Sequence, residues 1–299
     1  LRQLTQIDVQ NNWRYFSQDA AINSIKIDNW EIAQVNEKGY ITWSPGRQVQ
    51  WLAQKLIVPH DLHGYPITGF SLRLVLTWWA ELAQVFVNGK LVQEGDLFDS
   101  SARVLLTPSA TYSQEILVAI RLISPGHDIG ALMQAKLVYE SQFIDPGFVA
   151  DELTVLQKYL ENFETEKLDQ LAAGISRINW DIASDREAFD RSLEALRQKL
   201  HPLAINLKQR CVHLLGHAHL DVAWLWTVDE TWEVAQRTFA SVLNLQRDFP
   251  ELTFCHSTPA LYAWIEENRP DLFKAIQKAV SLGKWEVVGG MWVEPEVNL

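Results

Sequence analysis

The chain has 299 residues, of which 47% are hydrophobic and 21% charged, so packed cores are expected and a disordered or fibrous polymer is excluded. Its formal net charge of −11 disfavours nucleic acid or an anionic membrane as partner, because both attract basic surfaces. No apolar run reaches the ~18–20 residues that cross a bilayer, no secretory apolar core opens the chain, and two cysteines are too few for a disulfide framework; together these predict a cytoplasmic protein with Cys211 and Cys255 as free buried thiols.

Up to about residue 145 the pattern is β. The runs Gly69 to Thr77, Gln84 to Val87, Lys90 to Gln93, Ala102 to Thr107, Ile116 to Ser124 and Ala135 to Glu140 are rich in branched and aromatic residues. Turn formers separate them, which predicts a β-sandwich module over 1–150. Asn88-Gly89 between two of these runs predicts a type I′ hairpin, since both central residues of that turn need positive φ. Trp78-Trp79 offers either core packing or a flat platform for a sugar.

Over 151–205 the period becomes helical and predicts a connector. Leu153, Leu156, Leu160 and Phe163 form one stripe; Phe189, Leu193, Leu196 and Leu200 form another, opened by Ser184 and Glu187 at capping-box spacing and interrupted by Pro202. Over 206–299 strand and helix patterns alternate, which predicts βα units and a parallel sheet, the start of an α/β barrel. Its strands are expected at Val212 to Gly216, Thr253 to His256 and Trp285 to Val288. Thr227 and Glu230 have capping-box spacing, and Thr258-Pro259 and Gly283 mark the ends of later helices. The expected fold class is therefore multidomain.

The stretch Gly216-His-Ala-His-Leu-Asp-Val-Ala-Trp-Leu-Trp226 carries the chemistry. In an extended chain alternate side chains share a face, so His217, His219 and Asp221 are expected to point together at the C-terminal end of a strand, and imidazole nitrogen with carboxylate oxygen suits zinc. His-x-His at a first barrel strand also resembles the metal motif of amidohydrolases, which makes metal-dependent amide hydrolysis one alternative. A non-catalytic carbohydrate-binding protein is another. Trp224, Trp226 and the later segment Gly289-Gly-Met-Trp-Val-Glu-Pro-Glu-Val-Asn298 favour sugar chemistry.

The blocks His-Ala-His-Leu-Asp-Val-Ala-Trp-Leu-Trp at 217–226, Glu230-Thr231 with Arg237-Thr-Phe239, and Gly-Gly-Met-Trp-Val-Glu-Pro at 289–295 resemble the start of the catalytic domain of glycoside hydrolase family 38, the class II α-mannosidases. The resemblance implies a zinc-dependent retaining enzyme acting on α-mannoside oligosaccharides. It implies that His219 and Asp221 bind zinc, that Trp224 lies against the sugar, and that His217 and Glu294 support the ligands from behind. The family's nucleophile, which also touches zinc, is an aspartate; Glu296 occupies that position here. The acid/base and last histidine ligand of the family come from later strands, so the chain is expected to be an incomplete part, inactive by itself. No motif speaks to linkage specificity or oligomeric state.

Overall fold

The computed structural model describes residues 1–19, 27–97, 99–224 and 226–293, and the chain divides into two compact units, Leu1–Gln209 and Arg210–Leu299. Each has its own apolar core.

In the first unit the strands are β1 (Gln6–Asp8), β2 (Arg14–Phe16), β3 (Glu31–Ile32), β4 (Ile41–Trp43), β5 (Val49–Ile57), β6 (Asp61–Leu62), β7 (Tyr65–Pro66), β8 (Ser71–Trp79), β9 (Leu82–Val87), β10 (Lys90–Gly95), β11 (Ser101–Thr107), β12 (Glu115–Ile123) and β13 (Gly130–Glu140). One antiparallel sheet runs β1-β13-β8-β11, with β4 also paired to β13; the other runs β10-β9-β12-β5-β2-β3. In β8, Leu72, Leu74, Leu76 and Trp78 are buried and alternate with partly exposed Ser71, Arg73, Val75 and Thr77. Ile116, Val118, Ile120 and Leu122 of β12 join the same core, so the two sheets pack face to face. Each such side chain contributes roughly 1.5–3 kcal/mol when fully buried. Asn88 and Gly89 take φ of 49° and 80° between β9 and β10, as the hairpin reading requires. Trp78 is a core residue whose Nε1 donates to the Asp96 carbonyl, and Trp79, at the sheet surface, donates from Nε1 to Asp128 Oδ2, so of the two readings core packing is the one that holds for Trp78.

The helices of this unit are α1 (Pro146–Phe163), α2 (Leu168–Ile175), α3 (Arg186–Leu200) and α4 (Ile205–Lys208). Asp145 caps α1 by accepting from Phe148 N–H at 2.8 Å. Asp185 rather than Ser184 caps α3, accepting from Ala188 N–H at 3.1 Å; a carboxylate at a helix N-terminus also meets the positive end of the helix dipole. Phe189 and Leu193 of α3, and Val149 of α1, pack into the sandwich core. Leu196 and Leu200 instead pack with Leu156, Leu160 and Leu171. The expected boundary near residue 150 thus does not separate two cores, because one face of the helical segment completes the sandwich. Phe163, expected in the buried stripe, is exposed beside Tyr159.

The second unit contains β14 (Gly216–His217), α5 (Val228–Asp248), β15 (Phe254–His256), α6 (Pro259–Asn268), α7 (Pro270–Ser281) and β16 (Trp285–Val287), with the strands parallel in chain order. Phe239, Leu261, Ile265 and Ile276 from the three helices close over Phe254 and Trp285. Thr227 and Glu230 form the expected capping box, and Gly283, at φ of 67°, ends α7. The first strand begins at Gly216, not Val212. Only Gly216 and His217 find parallel partners on the short β15, so Val212, Leu214 and Leu215 remain exposed outside any strand. Cys211 is exposed and Cys255 half-buried; both are free, and neither is the buried core thiol expected. Among the described residues no helix is long and apolar enough to cross a membrane.

Candidate metal and sugar site

The loops that follow the parallel strands carry the motif residues. After His217 the chain leaves the strand, so the alternation that would align three side chains stops one residue into the motif. His217 turns toward the neighbouring strand, its Nδ1 2.9 Å from the Cys255 carbonyl oxygen. A carbonyl can only accept, so Nδ1 carries the hydrogen and Nε2 the lone pair. The ring stacks against that of His256, 5.7 Å between centroids. His256 is itself buried among Phe239, Phe254 and Tyr262.

His219 and Asp221 do converge: Nε2 lies 3.0 Å from Oδ1, with the histidine side chain 73% exposed. A tetrahedral metal with bonds of ~2.0–2.1 Å separates neighbouring ligand atoms by ~3.3 Å, so the pair needs little adjustment to share a cation. Imidazole nitrogen with carboxylate oxygen is also a donor set that zinc accepts. Among the described residues no group of three His, Cys, Asp or Glu side chains gathers around one metal position, so the pair supplies two ligands and no more. Trp224 stands exposed three residues on. Glu294 and Glu296 lie outside the described residues.

Several contacts fix the 221–223 segment. Trp226 Nε1 donates to the Asp221 carbonyl at 3.0 Å, and Ala223 N–H donates to Thr231 Oγ at 3.2 Å. Thr231 is buried on the first turn of α5 and its hydroxyl donates to the Thr227 carbonyl at 3.1 Å. The capping box that starts α5 therefore also anchors the loop carrying Asp221. Sequence reading singled out Thr231 only as part of a motif block; its spacing of one helical turn from Thr227 is the signal for this role.

Each of the three strand-end loops contains a residue with positive φ: Ala223 at 59°, Thr258 at 64° and Gly289 at 73°. For alanine, and more so for β-branched threonine, this conformation costs on the order of 1 kcal/mol or more. Thr258 is the N-cap of α6 with Pro259 at its first position, as expected, but its side chain makes no capping bond; Ala260 N–H donates instead to the Trp292 carbonyl at 3.1 Å. That bond ties the third loop to the second. Beneath them, Trp285 Nε1 donates to Tyr262 Oη at 2.9 Å, and burial pushes the Tyr262 phenol up to about 12, so it stays neutral.

Residues 209–299 match the model for the glycosyl hydrolases family 38 N-terminal domain. The match coincides with the second compact unit. Alpha-mannosidase G of Dictyostelium discoideum is 29% identical over 150 residues, 49% of this chain and 14% of that protein. Alpha-mannosidase 2C1 of Homo sapiens is 36% identical over 91 residues, 30% of this chain and 9% of that protein. The chain thus spans a small share of these relatives' length. Among solved structures, a Bacteroides uniformis beta-glucuronidase covers 46% of this chain and 18% of that chain at 17% identity, with a TM-score of 0.36. His217, His219, Asp221 and Trp224 all fall inside the family 38 match, as do the three strand-end loops.

Proposed function

We propose that the protein supplies the first metal ligands and the nucleophile of a zinc-dependent retaining α-mannosidase, the three parallel strands being the opening of its barrel. The convergence of His219 Nε2 and Asp221 Oδ1 within the family 38 match carries this reading. In it, His219 and Asp221 hold the cation, with Glu296 completing the set. A bound zinc supplies Lewis acidity toward the hydroxyls of the sugar.

The chain's own residues do the rest of the positioning. Trp224 presents its exposed indole to the apolar face of the mannose ring. His217 keeps its Nδ1 hydrogen on the Cys255 carbonyl and supports the loop from behind. The Glu296 carboxylate attacks the anomeric carbon and Glu294 flanks it. Retention requires a second carboxylate ~5–5.5 Å from the nucleophile as acid/base, and the resemblance assigns it to later barrel strands than these three. The substrate in this reading is an α-mannoside oligosaccharide. A cytoplasmic location belongs to the same proposal and is supported by an exposed free thiol at Cys211.

Metal analysis after dialysis tests the ligand pair. Zinc should remain on the wild-type chain and be lost from a His219→Ala, Asp221→Ala double variant; equal zinc in both sinks the assignment. Activity is tested on a chain extended by the remainder of a family 38 barrel. Such a chain should hydrolyse an aryl α-mannoside and release α-mannose first, whereas β-mannose first would mean inversion and would remove Glu296 as a nucleophile.

A further inference from the structure

A cleft of 1910 Å³ is lined entirely by residues of the first unit. Its floor is the outer face of β8, β11 and β13. Pairing register puts Lys136 of β13 and Arg103 of β11 on either side of Val75 in β8, while Arg73 lies two residues back along β8 on the same face. One wall is the segment leading from β13 into α1, and the other is the start of α3. Pockets for small molecules commonly run ~300–1,000 Å³. This one has room for an extended ligand.

Charge decides what kind. Basic and acidic side chains line the cleft in equal number, and many are already paired. Arg73 Nε donates to Glu140 Oε2 at 2.9 Å and Arg103 donates to the other oxygen of the same carboxylate. Arg2 pairs with Asp151, and Arg191 with Glu187. An ionic ligand would find no surplus of opposite charge. What remains of the Arg73–Glu140–Arg103 cluster is a fixed array of further guanidinium N–H donors beside carboxylate lone pairs. Neighbouring hydroxyls, each of which both donates and accepts, match such an array. At the rim, in the turn between β13 and α1, Phe143 is 85% exposed. A large aromatic face left in water packs nothing in this fold, but it suits the C–H face of a pyranose ring, the apolar half of a ligand whose other half is hydroxyl.

We propose that this cleft binds an uncharged oligosaccharide, with Phe143 stacked on one sugar ring and the Arg73–Glu140–Arg103 cluster holding ring hydroxyls. The site is separate from the metal motif and does not depend on the mannosidase reading.

Calorimetric titration of the full chain tests it, using mannotetraose and cellotetraose as neutral probes and tetragalacturonate as the charged one. All titrations are made in the His219→Ala, Asp221→Ala background, so that sugar bound through the metal motif does not contribute. At least one neutral tetrasaccharide should bind, and Phe143→Ala should weaken that binding about 3–10-fold, the size of a lost aromatic stacking contact. Arg103→Ala should weaken it as well. Both substitutions are on exposed side chains outside the core, so the fold should survive them. Absence of neutral-sugar binding at about 10 mM, unchanged affinity in both variants, or tighter binding of tetragalacturonate than of either neutral probe would overturn the proposal.

Discussion

At position 296 a glutamate stands where the family 38 resemblance places an aspartate, and one methylene moves a carboxylate by on the order of an ångström. A group that must touch both a cation and the anomeric carbon tolerates such a shift only if the backbone recedes. In an active extended chain, Glu296→Gln should lower the hydrolysis of an aryl α-mannoside by at least ~10²-fold, since an amide cannot form the glycosyl ester. Equal rates would assign the nucleophile elsewhere. A second carboxylate, Asp190, has a direction of shift that can be tested. Its pKa is raised chiefly by burial, against the Tyr65 hydroxyl, which donates to it at 2.7 Å, and against the charge of Arg186. The unfolded carboxyl ionises at lower pH, so the ionised form costs the folded state stability. That cost is full above the folded pKa and absent below the unfolded value near ~3.9. Asp190→Asn keeps an acceptor for Tyr65 and removes the buried charge, so its melting temperature should exceed that of the wild type at pH 7. The difference should close as the medium becomes strongly acidic; a lower melting temperature at pH 7 would show that attraction to Arg186 outweighs burial. At this scale the sequence gives residue types more reliably than directions. Strand parity placed His217 with His219 and Asp221, but the strand ends at His217, and parity has no force in the loop beyond it.

Elements with their own local chemistry are legible in the sequence. The Asn88-Gly89 hairpin needs only its two turn residues, and the α5 start needs only Thr227 and Glu230, whose reciprocal bonds are 3.2 and 2.7 Å. Elements defined by their neighbours are not. The strand β5 escaped notice because Gln50, Trp51, Leu52 and Ala53 are buried in succession. Trp51 and Ala53 meet Trp30 and Ala119 on the outer face of the sheet, so both faces of β5 are covered and its sequence does not alternate. The opposite error occurred at Val212 to Leu215, where a strand-like apolar run has no partner to pair with. The dual role of the α5 cap gives a prediction at this scale. Thr227→Ala should cost about 1 kcal/mol, and the Glu230 amide, which loses its acceptor, should exchange with solvent faster. Thr227→Ser should restore most of both. Because Thr231 is seated on the Thr227 carbonyl, the Ala variant should, in the proposed zinc-binding reading, also loosen a metal held by His219 and Asp221, and unchanged metal affinity would separate the cap from the loop.

For the whole molecule, the change of sequence period at 151 and the change of core fall in different places. Helices α1 and α3 contribute Val149, Leu153, Phe189 and Leu193 to the sandwich, and Asp145, which precedes α1, is buried while capping it. Cutting the backbone at that junction would require opening this packing first. Residues 210–215 differ in kind: they have no regular secondary structure, their side chains are exposed, and they coincide with the division into two compact units. Proteases act on segments that fit their clefts without unfolding a core, so the first cleavage in limited proteolysis should fall between 209 and 216. It should leave a resistant fragment ending near residue 209 in which the sandwich and α1–α4 stay together. Arg210 gives trypsin a target there, and an enzyme of broad specificity should cut beside Val212 to Leu215. Mass spectrometry of the early fragments decides the matter. A first cut between 141 and 152 would mean that the helical segment docks on the sandwich too weakly to be part of its core, and that the period change, rather than the burial of Phe189 and Leu193, marks the true boundary.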